Sequence, residues 1–130
     1  MKPVFLKETV GEYKAGTYVW LGRRNGNYDP VEKQYMHNTY VTHNRANNKY
    51  GGHAIADHQW EEPITFIDVE CRPVRVGDEI CRFNTTDNIQ ILERRKVLGV
   101  TAEGLLLAPK MQGGRTTATS DNSKVMIVSR

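Results

Sequence analysis

The chain has 130 residues, of which 38% are hydrophobic and 25% charged, and its formal net charge is +3. This length corresponds to one domain or two very small ones, and the composition is that of a folded chain. No apolar run is long enough for a membrane helix, and the first residues lack the apolar region of a secretory signal. We therefore expect a cytoplasmic protein without membrane contact. Its two cysteines, Cys71 and Cys81, are too few for a disulfide scaffold.

Aromatic and basic residues are unevenly distributed along the chain. All six tyrosines lie within the first fifty residues. Between Arg94 and Arg115 there are five cations and a single acid, Glu103. The small positive net charge is thus concentrated in one stretch of the second half, which permits an anionic partner.

The first half contains few strand patterns. Residues 18–22 form an aromatic and β-branched run, and the Asn25-Gly26 pair that follows is typical of a tight hairpin turn. Residues 28–62 form a long polar excursion in which only residues 35–42 alternate like a strand. Residues 64–71 have strand composition again.

Turn signals divide residues 73–130 into short strands. We predict turns at Gly77-Asp78, at residues 84–88 and at residues 102–104. The run 110–123 contains almost nothing that can be buried, so we predict a mobile loop there. The strands predicted between these turns are one around Ile80, one long or kinked strand over 89–93 and 95–101, one over 105–107 and one over 124–129.

Part of this half resembles a known family. The run Val76-Gly77-Asp78-Glu79-Ile80, followed by residues 95–100 and 103–107, resembles SH3-like small barrels of the KOW and Tudor kind, and similar openings recur in small phage-encoded proteins. The resemblance implies an all-β, SH3-like small barrel over residues 73–130. An N-terminal hairpin and the polar excursion, residues 1–72, would pack on it in one compact domain. It also implies a binding role without catalysis or cofactor.

The basic stretch is the candidate nucleic-acid site. Cations that follow one another on a strand project to both faces, so at least one of three must point outward. We predict contacts to phosphate from this strand, from the following loop and from two arginines among the tyrosines of the first half. The residues are Arg94, Arg95, Lys96, Lys110, Arg115, Arg23 and Arg24. The structural alternative is a solvated strand edge on which cations discourage aggregation.

Two further hypotheses belong to other classes. Trp20, Tyr40 and Trp60 are residues of the type that anchors protein interfaces, so the chain could instead modulate or inhibit a host protein, or bind a small ligand. A third alternative is a metal-dependent hydrolase, because histidines cluster in the polar excursion. Their spacing fits no specific metal motif, and ordinary loop histidines are the competing interpretation. These histidines are His37, His43, His53 and His58.

Overall fold

The chain is an all-β protein. The computed structural model describes residues 1–31, 33–43, 53–86 and 89–130. About half of the chain is strand, arranged in curled antiparallel sheets with the character of a half-barrel. In these ranges the helical elements are two short 3-10 helices, Asp57–Gln59 and Asn122–Lys124, and no helix is long and apolar enough to cross a membrane.

Within the described ranges, ten strands build two sheets, one in each of two compact units, Met1–Glu62 and Pro63–Arg130. The division expected from the sequence lies later, after residue 72. In chain order the strands are β1 (Lys2–Leu6), β2 (Tyr18–Asp29), β3 (Gln34–Thr42), β4 (His53–Ala54), β5 (Trp60–Glu61), β6 (Glu79–Thr86), β7 (Ile89–Thr101), β8 (Gly104–Leu107), β9 (Thr117–Thr119) and β10 (Val125–Ser129).

The first unit is a sheet in the order β4-β3-β2-β1-β5, with every pairing antiparallel. Alternation along β1 and β2 turns their apolar side chains toward one side, where they are buried together. Ile55 and Trp60 pack against this core from the edge. The core consists of Val4, Leu6, Val10, Tyr13, Val19, Leu21 and Val41.

The hairpin turn predicted at Asn25-Gly26 is wrong. β2 continues through these residues to Asp29, and the chain reverses after that. Between Asn25 and Tyr28 the register shifts, so that three steps on β2 oppose two on β3. This extra residue forms a β-bulge. Asparagine and glycine accept the irregular backbone of a bulge as readily as that of a turn, so the same residues are typical of both. The strand predicted over residues 35–42 is confirmed as β3.

The second unit is a sheet in the order β10-β6-β7-β8-β9. The predicted turn at Gly77 precedes β6, and Gly77 adopts a φ of 93°, which a residue without a side chain accepts at no steric cost. The predicted long strand is β7, and the strands over 105–107 and 124–129 are β8 and β10. The core contains Phe66, Val74, Ile80, Val97, Leu105, Leu107, Val125 and Ile127.

The loop predicted over residues 110–123 is only partly correct. Thr117–Thr119 forms the edge strand β9 against β8, and a 3-10 helix begins at Asn122. Threonine suits a strand, and the open edge of β8 supplies the backbone partners that the local pattern does not reveal. The turn predicted at 84–88 is too early, because β6 extends to Thr86; residues 87–88 lie outside the described residues.

The strand predicted over residues 64–71 is also wrong. Phe66 and Ile67 are buried, whereas Ile64 is exposed, and the residues form a loop closed by a single bridge between Ile67 and Pro73. The centre of the loop is Asp68, whose side chain is fully buried. A buried carboxylate requires hydrogen-bond donors and opposite charge. The loop therefore takes the shape that surrounds this carboxylate with both.

Four groups donate to the Asp68 carboxylate. Its Oδ1 accepts from the backbone N–H of Glu70 at 3.0 Å and of Arg72 at 2.8 Å. Its Oδ2 accepts from the backbone N–H of Ile127 at 2.9 Å, and the Arg72 guanidinium approaches to 3.0 Å. Ile127 lies in β10, so this carboxylate joins a loop to a strand far along the chain.

The same loop covers the outer edge of β10. Val69 N–H donates to the carbonyl of Val125 at 2.9 Å, and the Arg72 guanidinium donates to the carbonyl of Ile127 at 2.8 Å. Together with the bond from Ile127 N–H to Asp68, these contacts satisfy backbone groups that an edge strand would otherwise leave open to another chain. β10 therefore has β6 on one side and this loop on the other.

Replacing Asp68 by alanine is expected to lower the free energy of unfolding by about 3 kcal/mol, because it leaves the buried Ile127 N–H without an acceptor and removes the carboxylate that pairs with the Arg72 guanidinium. The measurement is urea unfolding followed by circular dichroism. Tryptophan fluorescence would not report on the second unit, because both tryptophans, Trp20 and Trp60, lie in the first. Glu70→Gln, at an exposed carboxylate in the same loop, is the control and should change stability by less than about 0.5 kcal/mol. Equal effects of the two variants would contradict this role of Asp68.

Candidate nucleic-acid interface

β7 presents different chemistry to its two sides, because alternate side chains of a strand point to opposite faces. We call the side that faces the core of the second unit the inner face and the other side the outer face. The inner side chains are Glu93, Arg95 and Val97, all buried, and the outer ones are Leu92, Arg94, Lys96 and Leu98, all exposed.

The inner face carries a buried cluster of charge around Glu93. The carboxylate of Glu93 lies 3.0 Å from the guanidinium of Arg82, 3.5 Å from that of Arg95 and 2.5 Å from Nζ of Lys110. Arg95 also donates to the carbonyl of Ala108, and to Oγ1 of Thr117 at 2.9 Å. These bonds tie β7 to the segment after β8 and to β9, which is a structural role.

Arg95 therefore does not belong to the surface that the sequence suggested. It is only 5% exposed and its donors are occupied within the protein, so it cannot reach a phosphate in this conformation. Lys110 remains half-exposed, but its ammonium is paired with Glu93. The sequence predicts contacts to phosphate from both residues, through a strand position and a loop position. The buried acid that binds them lies on the same strand as Arg95.

Four cations line one groove beside β7, and three of them have exposed side chains. The groove has a volume of about 290 Å³, and its lining includes the exposed cations Arg94, Lys96 and Arg130 together with Glu79 and the largely buried Arg95. The Arg94 side chain is 61% exposed, and its Nε lies 2.7 Å from the carboxylate of Glu79. Lys96 is directly opposite Glu79 in the pairing of β6 with β7. We call this feature the cationic groove.

Arg130 was not among the predicted residues. It enters the groove because β10 pairs with β6, which brings the residue after β10 beside the middle of β7. Its guanidinium donates to the carbonyl of Pro73 at 2.7 Å and lies 3.9 Å from the buried carboxylate of Asp78. No local pattern connects residue 130 with residues 94–96, since only the strand order does so.

The remaining predicted cations lie elsewhere. Arg115 is exposed in the segment before β9. Arg23 is exposed in the first unit, where it lines a groove of about 360 Å³ that also includes Lys2 and Trp60. The side chain of Arg24 lies outside the described part of the chain.

Two of the three predicted interface aromatics lie in the interior. Trp20 and Tyr40 are each 1% exposed. The ring of Tyr40 lies against Gly22, where a Cβ would come within 2.7 Å of it, so glycine makes room for this burial. Trp60 is half-buried, with the ammonium of Lys2 above its ring at 4.9 Å. Tyr50 and the side chains of Tyr28 and Tyr35 lie outside the described residues.

The described histidines lie against Tyr13 or near acidic side chains of the first unit. The rings of His43 and His53 lie 4.4 and 5.6 Å from the ring of Tyr13. His53 Nε2 is 3.8 Å from the carboxylate of Glu12, and His58 Nε2 is 4.0 Å from that of Glu8. In the ranges that the structure describes, no three histidine, cysteine or acidic side chains form a group that could hold a metal ion. The side chain of His37 lies outside these ranges.

Cys71 lies beside Asp68 in the loop that covers β10. Its backbone adopts a φ of 61°, and its N–H donates to the carbonyl of Asp68 at 3.0 Å. Burial raises the pKa of the Cys71 thiol to about 12, and the nearby charges of Asp68 and Glu70 add to the effect. The thiol therefore stays protonated at neutral pH and is a poor nucleophile.

Comparison with known proteins identifies no relative: no protein-family model matches the chain, and neither a curated protein nor a solved structure is similar to it.

Arg95→Met should lower the free energy of unfolding by about 2 to 3 kcal/mol, because it removes bonds from the buried carboxylate and from the Ala108 carbonyl. Arg94→Met is the matched control on the neighbouring residue. It breaks only an exposed ion pair and should cost less than about 1 kcal/mol. Urea unfolding monitored by circular dichroism measures both variants. Similar losses would mean that the two faces of β7 do not differ as described.

Cys71 should resist alkylation in the folded protein. Its folded pKa of about 12 lies above the ordinary 9.0, so its contribution to stability is complete below pH 9 and is lost between pH 9 and about 12, as the unfolded thiol ionises first. Peptide mass spectrometry after iodoacetamide treatment at pH 8.5 should show slow modification of residue 71 in buffer and rapid modification in urea. Rapid reaction of the folded protein would contradict the raised pKa.

Proposed function

We propose that this chain is a non-enzymatic binding protein that contacts nucleic acid through the cationic groove. The observation that carries the proposal is the convergence of Arg94, Lys96 and Arg130 on one groove beside β7. Phosphate groups are bound by arginine and lysine through charge and hydrogen bonds, largely without regard to sequence.

The exposure and the pairing of the cations support this role. Arg94 and Lys96 are exposed, so binding a phosphate requires little loss of hydration beyond that of the ion pair with Glu79. An exposed ion pair is worth at most about 1 kcal/mol, and a phosphate can replace the carboxylate as partner. The buried bonds of Glu93 and Arg95 hold the strand beneath and so keep the outer side chains in position.

The finer fold assignment belongs to the same proposal. Strands β6 to β9 follow one another in the sheet, and β10 returns to pair with β6. This order places the last strand of the unit beside its first strand, which supports an SH3-like arrangement of the second unit. The resemblance of residues 73–130 also carries the proposal that the protein is phage-encoded. The sequence argument on apolar runs carries the separate proposal that it acts in the cytoplasm.

The alternative functions have less support. A modulator of a host protein or a small-ligand-binding protein was suggested by three aromatic residues, of which Trp20 and Tyr40 are in the core. Only Trp60 retains partial exposure. A metal-dependent hydrolase would need a ligand cluster, and the described residues contain none.

The salt dependence of binding tests the proposed function. A labelled oligonucleotide of mixed sequence, offered as a single strand and as a duplex, is titrated with the protein between 50 and 200 mM salt. Because each phosphate contact releases counterions, the double variant Arg94→Ala and Lys96→Ala should reduce the slope of log K against log salt by about 1.4 to 1.8. Binding at 50 mM salt should weaken accordingly.

The matched control removes two positive charges elsewhere. Lys7 and Lys14 are exposed residues of the first unit, and their double alanine variant has the same net charge as the test variant. It should leave the slope nearly unchanged. Absence of binding to both oligonucleotide forms at 50 mM salt, or equal slopes for the two double variants, would overturn the proposal.

A further inference from the structure

The outer face also carries an exposed aromatic residue beside the cations. Phe83 on β6 is 41% exposed, and Leu92, directly opposite on β7, is 58% exposed. Neither belongs to the core, although both are residue types that folding normally buries. The next outer positions along β7 are Arg94 and Lys96, so an apolar pair and two cations share one face of the sheet.

The register places these groups in a row. Outer side chains on a strand repeat every two residues, about 6.6 to 6.8 Å, so Leu92 and Lys96 are separated by about 13 Å along β7. At about 3.4 Å per nucleotide this is the length of about four stacked nucleotides. Phe83 lies at the Leu92 end of the row, and the cationic groove lies at the Lys96 end.

An exposed aromatic ring next to cations suits single-stranded nucleic acid. The flat faces of bases are hidden inside a duplex but free in a single strand, where they stack on aromatic side chains while cations hold the backbone. A duplex could use Arg94, Lys96 and Arg130 through its phosphates but would gain nothing from Phe83. The apolar pair therefore distinguishes between two ligands that the cations alone would bind equally.

We infer that the outer face of β6 and β7 binds single-stranded nucleic acid, with a base stacked on Phe83 beside Leu92 and the adjoining phosphates on Arg94, Lys96 and Arg130. This inference rests on the proposed function and specifies its ligand. The positive charges in the row complement the negative charges of a phosphate backbone. This favours single-stranded nucleic acid over a protein partner as the ligand, because nothing described here supplies an acidic protein surface for the cations to contact.

The experiment compares a twelve-nucleotide single strand with the duplex of the same sequence at 50 mM salt. Phe83→Leu keeps an apolar side chain but removes the aromatic ring. It should weaken single-strand binding about tenfold and leave duplex binding unchanged. Phe83→Tyr, which keeps the ring, should retain the affinity. Leu106→Ala, at an exposed apolar residue of β8, is the control for a general loss of apolar surface and should have no effect.

The outcomes separate this inference from the proposed function. If the protein binds single strand and duplex equally and Phe83→Leu changes neither affinity, stacking is overturned while phosphate binding by the groove stands. If neither form binds, both the inference and the proposed function fail, and a protein partner becomes the remaining use of the face. Circular dichroism of each variant confirms that the fold is retained.

Discussion

The second unit depends on the buried carboxylate of Asp68. Its bond to Ile127 N–H places the covering loop along β10, and β10 in turn pairs with β6. The same loop reaches Pro73, whose carbonyl holds Arg130 in the cationic groove. One acid therefore satisfies an exposed strand edge and also sets the position of a surface cation. A charge buried this completely is tolerated because every donor around it is already aligned in the folded chain.

β7 shows how environment decides the role of identical residue types. Arg94 and Arg95 are neighbours with the same charge, but they differ in how far folding removes them from water. The inner arginine is bonded to Glu93 and to the backbone, so its charge stabilises the fold and is not offered to a ligand. The outer one keeps most of its hydration and an exposed partner, Glu79, so its charge is exchangeable. A basic stretch in a strand thus contains two sets of residues: buried cations that stabilise the fold and exposed cations that can exchange partners.

The sequence predicted what local chemistry determines. Turn residues and apolar runs located β7, β8 and β10, because glycine at 77 and the apolar runs carry their own conformational preference. The bulge at residues 25–28, the Asp68 loop and β9 could not be predicted, since each depends on a partner distant in the chain. The burial of Arg95 does have a local signal, because the apolar Val97 lies two residues on and shares its face. Arg130 required the strand order.

Inner and outer side chains alternate along β7. Substitutions that change stability and substitutions that change the exposed face therefore fall at different positions of the strand. Inner and outer positions interleave in sequence, but their side chains point to opposite faces of the sheet. Substitutions at Leu92, Arg94 or Lys96 change the chemistry of the exposed face and leave the buried bonds of Glu93 intact. The strand therefore acts as a fixed scaffold with interchangeable side chains on one face. Such a face can change its charge and polarity one residue at a time while every intermediate sequence still folds.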